Sequence, residues 1–179
     1  MIMIGNEQIK IITLSRLPPA GQPIPNEGIF LCALRYAERT LAACASPEDI
    51  RNVTYTEAVR EVAVRRSWHG YDGANIENEA ALYNGLVTGI VLGKWVIPTC
   101  DLGRVLSRNK TAGDFEGSLV IESKIADCSN WYWLCTPHRR EKMSSIRLSD
   151  GMVAGWGRDC NRSSCRPVRF VDATRLSLA

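Results

Sequence analysis

At 179 residues the chain has the length of one domain with a short appendage, enough to bury a single adequate core. Hydrophobic residues at 45% and charged residues at 23% are ordinary globular values, which exclude disordered, collagen-like and coiled-coil classes. The 22 basic and 19 acidic residues leave a formal net charge of +3, too even to indicate nucleic acid, so any basic surface must be local.

The first segment, MIMIGNEQIKIITL, breaks its apolar run with Gly5, Asn6, Glu7, Gln8 and Lys10 before a signal-peptide core forms. No run approaches the roughly 18 apolar residues of a membrane span. Both observations predict synthesis in a cytosol without membrane insertion, and export only as part of an assembled particle. Ile9 and Ile11 alternate with Gln8 and Lys10 as in a half-buried strand, and Pro18, Pro19, Pro23 and Pro25 then mark an extended linker or arm. Residues 1–29 are therefore expected to form a strand and arm, and residues 30–179 the main domain. Such an arm either joins a neighbouring subunit's sheet or completes its own.

From Phe30, Leu31, Leu34, Ala37, Leu41 and Ala45 recur at three and four, which predicts a helix, with strand as the alternative over Leu31 to Leu34. Thr54 and Glu57 fit a capping box at the start of a second helix, with Tyr55, Ala58, Val59 and Val62 on its apolar stripe. A third is expected after the N-cap Asn75, burying Ala80, Leu82, Tyr83, Leu86 and Ile90 before Gly93. Trp95 to Ile97 reads as a short strand ended by Pro98. Thr99 then caps a short helix carrying Leu102, Val105 and Leu106.

The remainder predicts strands over 118–125, 131–136, 145–149, 152–156 and 166–171. Asp150-Gly151 is expected to form a type I′ hairpin turn, with both central residues at positive φ. Helices followed by strands imply an α+β architecture with two or three helices on a small, mostly antiparallel sheet.

Seven cysteines are an odd number, so they cannot all pair within the chain. Cys32, Cys44 and Cys100 lie among apolar residues and are expected as buried thiols. Cys128, Cys135, Cys160 and Cys165 lack a C-x-x-C pair, so a Cys160 to Cys165 disulfide is more plausible than a zinc site. With only His69 and His138, and with no Ser-His-Asp order, phosphate loop or metalloprotease helix, the chain offers little for general acid–base chemistry.

Five blocks stand in order: DGANIENEAALYNGL (72–86), GKWVIPTCDLGRVLSRN (93–109), NWYWLCTP (130–137), LSDG (148–151) and RPVRF (166–170). This order resembles the Lcl C-terminal-like domain family, a branch of the C-type-lectin-like folds, over residues 68–171. The chain departs from the family at Leu134 and Cys135, where two small hydroxyl residues are usual, and at Pro137, where an acid is often seen. The resemblance implies a non-enzymatic adhesion or receptor-binding module. With no signal segment, it points to a bacteriophage virion component such as a fibre, decoration or tail-tip protein, exposed on the particle. By family analogy it implies a homo-oligomer, with a trimer as the leading form. Its partners would be other virion subunits, through residues 1–29, and a host surface glycan or protein.

The candidate ligand face comprises His138, Arg139, Arg140, Lys142, Arg158 and Arg162, placed in loops between the last strands, with Trp156 at a strand end. Guanidinium groups bind sulfate, phosphate or carboxylate with paired hydrogen bonds, and an indole offers a flat surface to a sugar or cation. Most of Trp131, Tyr132 and Trp133 are expected in the core, because alternation buries at least one side of their strand, and Arg166 and Arg169 are expected in the framework. Asp127, Asn130, Asp150, Asp159 and Asn161 form no dense acidic loop, so binding without calcium, and without any cofactor, is expected. Two alternatives remain. One is a structural virion subunit that binds no ligand. The other follows from the likeness of Cys160 and Cys165 to the paired cysteines of formylglycine-generating enzymes: a copper-dependent thiol oxidase.

Overall fold

The computed structural model describes residues 2–4, 7–12, 16–36, 39–64, 92–122, 128–139, 142–174 and 176. The expected helix after Asn75, together with His69, Arg140 and the whole DGANIENEAALYNGL block, lies outside the described residues.

The described residues build two sheets. The first contains β1 (Ile2–Ile4), β2 (Glu7–Ile12), β4 (Gly28–Tyr36), β5 (Arg39–Ala45) and β11 (Val168–Asp172) in that order, with the short β3 (Pro23–Ile24) also paired to β4. The second runs β6 (Ile50–Val53), β10 (Ser163–Cys165), β7 (Trp131–Arg139), β8 (Lys142–Arg147) and β9 (Val153–Gly157). Between named strands, only the β10–β7 pairing is parallel. With the helices α1 (Tyr55–Val64) and α2 (Cys100–Arg108), this is a sheet-dominated α+β architecture. Among the described residues, no helix is long and apolar enough to cross a membrane.

The helix expected from Phe30 to Ala45 is instead the β4–β5 hairpin, and a bulge explains the misleading spacing. The register of β4 on β5 shifts between Phe30 and Cys32. Ile29, Leu31, Cys32 and Leu34 consequently face the main core, while Phe30 and Ala33 face a second apolar cluster with Ala42, Cys44 and Val171. Leu31 and Leu34 thus share a side at a spacing of three without a helix. Strands buried on both faces lose the alternation that identifies them.

In α1, the Glu57 amide donates to Thr54 Oγ1 at 3.2 Å while the Thr54 amide donates to Glu57 Oε2 at 2.9 Å, completing the expected capping box. Thr99 Oγ1 likewise accepts from the Leu102 amide at 3.4 Å, and Leu102, Val105 and Leu106 are buried. Gly103 lies so close to β7 and β8 that an added Cβ would stand 2.6 Å from Leu134 Cδ2, so a larger residue there would force the Leu134 side chain to shift.

Three expectations are corrected. Trp95 to Ile97 forms a single bridge, Val96 to Val168, not a strand. Residues 118–122 form a turn, a bend and backbone outside any strand, because their polar groups are committed elsewhere: the Val120 amide donates to Tyr132 Oη at 2.7 Å, and the Ser118 carbonyl accepts from Arg166 at 2.8 Å. The β8–β9 connection is not a type I′ turn, since Gly151 has φ 76° but Asp150 is not at positive φ. A five-residue connection, 148–152, joins the strands, with the Gly151 amide bonded to the Arg147 carbonyl at 2.8 Å. Asp150 Oδ1 accepts from the Met152 amide at 3.0 Å, a local side-chain bond that replaces the tighter turn.

The expected N-terminal strand pairs within its own chain, β2 lying antiparallel to β4 with Ile11 opposite Leu34.

Candidate binding surfaces on the β7–β8–β9 meander

Arg166 and Arg169 of the closing block are framework. Arg166 Nε stands 2.7 Å from Asp49 Oδ1, with both side chains fully buried, an ion-pair contact without hydrogen-bond alignment. Its other nitrogens donate to the carbonyls of Ser46 and Ser118. Tyr132 Oη donates to Asp49 Oδ2 at 2.7 Å. Burial pushes the Asp49 carboxyl up against the opposing pull of Arg166 and Tyr132, and burial likewise raises the Tyr132 phenol. Arg169 pairs with Glu27 and lies 5.1 Å from the Trp95 ring centre.

Tyr132 and Trp133 are core, as expected: Trp133 donates from Nε1 to the Val53 carbonyl at 2.9 Å and packs edge-on against Tyr55. Trp131 is the one of the three outside the core. It is half-buried and meets half-buried Trp156 with ring centres 5.3 Å apart at a 45° tilt.

The pairing register assigns the faces of the meander. Trp131 opposes Arg147, Trp133 opposes Ser145, Ser145 opposes Ala154, and Met143 opposes Trp156. Since paired residues share a face and neighbours alternate, Trp131, Trp133, Met143, Ser145, Arg147, Ala154 and Trp156 lie on one side. Leu134, Ile146 and Gly155 lie on the other, against which α2 packs.

The expected ligand residues therefore do not converge on a single surface. His138 and Arg139 belong to the end of β7 and Lys142 to the start of β8, in place of the expected loops, and all three are exposed. The His138 ring covers Gly155, where an added Cβ would stand 2.1 Å from His138 Cδ2, so His138 and Lys142 lie on the α2 side. Trp156 faces away from them. Arg158 sits over the Tyr55 ring at 5.6 Å, and its carbonyl accepts from the Tyr55 amide. Arg162 is drawn to the start of α1, donating to Glu57 Oε2 at 2.8 Å and to the Asn52 carbonyl at 2.9 Å. Arg162 and the Thr54 amide hold the Glu57 carboxyl below its usual range, the amide being the stronger influence.

Trp131 and Arg147 were missed in the sequence. Alternation assigns Trp131 to the face of Trp133 but carries no information about where the cover over that face stops.

None of the seven cysteines forms a disulfide. Cys165 is fully buried and Cys160 is exposed, so the expected disulfide between them is not formed. Neither a family model nor a curated protein matches the chain.

Proposed function

We propose that the chain is a non-enzymatic adhesion or receptor-binding module with a C-type-lectin-like fold, carried on a virion surface as a fibre, decoration or tail-tip component. The observation that carries this reading is the exposed basic tip of the β7–β8 hairpin, formed by His138, Arg139 and Lys142. Such a tip suits an anionic surface glycan, whose sulfate or carboxylate groups accept from guanidinium and ammonium donors.

The order of the described elements supports the lectin-like assignment. A Thr99-capped helix ends at Arg108-Asn109, followed by an aromatic strand, a Ser149-Asp150-Gly151 loop and a closing strand preceded by the buried Arg166. A homo-oligomer, as a trimer, would present several weak tips together and raise avidity. Residues 1–29 would bind other virion subunits through the edge strand β1.

The test is binding of the purified chain to heparin and to host cells. Arg139→Ala with Lys142→Ala should lower heparin affinity about tenfold at low salt and flatten its salt dependence. Unchanged binding in the double variant, or no binding to any anionic glycan or cell, would refute the reading.

A further inference from the structure

The other face of the meander carries a second surface, independent of the basic tip. Trp131 from β7 and Trp156 from β9 meet across β8, with Ser145 between them in the register. The guanidinium of Arg147 lies 5.4 Å from the Trp131 ring centre, so a cation already occupies that position. Arg147 is in turn held by Asp150: Nε donates to Oδ1 at 3.1 Å, and Nη2 pairs with Oδ2. Met152 continues the apolar surface and is 52% exposed, while the Arg147 and Asp150 side chains are 35% and 47% exposed.

The chemistry of this shelf restricts its ligand. Two half-buried indoles set at 45° form a shallow, angled apolar seat. The cation above Trp131 is neutralised by its carboxylate partner, so the seat has no net charge to attract an anion and no vacant cation position. The edge of the pair remains polar and accessible: Asp150 has acceptor capacity left, and Arg147 has donors left. Apolar seats bounded by a few polar groups are the usual form of a small-ligand site. A neutral pyranose matches both parts, with its C–H face against an indole and its ring hydroxyls toward carboxylate and guanidinium.

We infer that Trp131, Trp156, Arg147 and Asp150 form a subsite for a neutral hexopyranose unit, on the face of the meander opposite the basic tip. This assignment stands whether or not the tip binds an anionic glycan.

The test is titration of the full chain with cellotetraose, maltotetraose, chitotetraose and mannotetraose, followed through the indole N–H signals in nuclear magnetic resonance. At least one sugar should shift the Trp131 and Trp156 signals while leaving those of buried Trp95 and Trp133 in place. Trp156→Ala should weaken that binding about tenfold and Trp156→Tyr only a fewfold, since tyrosine keeps a stacking surface. Unchanged Trp95 and Trp133 signals would show that each variant is folded. Affinity should change less than about twofold with added salt, because the sugar carries no charge. Arg139→Ala with Lys142→Ala should leave it intact, which separates this subsite from the anion-binding tip. The inference is overturned if none of the four sugars shifts either indole, if Trp156→Ala binds as well as the parent, or if a proline-rich peptide is the ligand that shifts the pair.

Discussion

Arg166 Nε and Asp49 Oδ1 lie 2.7 Å apart with both side chains fully buried, and this pair ties the two sheets together. Arg166 sits between β10 of one sheet and β11 of the other, and donates to the Ser46 carbonyl just after β5. Asp49 precedes β6 and accepts from Tyr132 of β7. A buried charge that loses its partner keeps its desolvation cost. Asp49→Ala should therefore destabilise the chain by about 3–5 kcal/mol. Replacing both, as Asp49→Leu with Arg166→Met, should cost clearly less than the single change because no orphaned charge remains. Urea denaturation of the two variants measures this, and a loss under about 1 kcal/mol for Asp49→Ala would show that the pair does not join the sheets.

The β8–β9 loop has its own acid-sensitive contact. Hydrogen bonds from Arg147 hold the Asp150 carboxyl down at about 2, from an ordinary value of 3.8, with the Met152 amide assisting. A folded-state value below the unfolded one stabilises the folded loop at pH above about 4, and that stabilisation is lost as pH falls through 2. The Met152 amide resonance should accordingly titrate with a midpoint near 2, and in Asp150→Asn this transition should disappear. A midpoint near 4 would mean that the carboxylate is not held in solution.

The seven thiols should differ sharply in reactivity. Burial pushes Cys32, Cys44 and Cys135 up to about 12, so almost no thiolate exists there at neutral pH. Cys165 is fully buried and Cys160 exposed. Brief iodoacetamide treatment of the native chain at pH 8 should alkylate Cys160 first and spare Cys32, Cys44, Cys135 and Cys165, as read by peptide mass mapping. Early labelling of Cys44 or Cys135 would contradict the packing. Cys160→Ser should remove the fast phase and leave stability nearly unchanged.

Local chemistry was legible in the sequence wherever one side chain decides a backbone bond. The Thr54 and Glu57 box and the Thr99 cap depend on neighbours within a few residues and appear where the residue types indicated. Of the strands expected after Asn130, β7 and β9 lie close to their expected places, β8 and β11 are shifted to Lys142–Arg147 and Val168–Asp172, and β10 was not foreseen. The double burial of β4 and β5 was hidden, because strands apolar on both faces carry no alternation and a bulge at Phe30 to Cys32 imitated helical spacing. The segment 118–122 was misread as strand because Arg166 and Tyr132, distant in the chain, take its backbone groups.

By itself the sequence determined an α+β chain whose charge is balanced, whose late strands are aromatic and whose closing arginines belong to the framework. Only the tertiary structure decided which of the basic and aromatic side chains share a surface. Pairing register sends Trp156 to one side of the meander and Lys142 to the other, and Arg162 is drawn away by Glu57. Faces depend on alternation counted across three strands and two connections, so one bulge or one changed turn moves a side chain to the opposite side of the sheet.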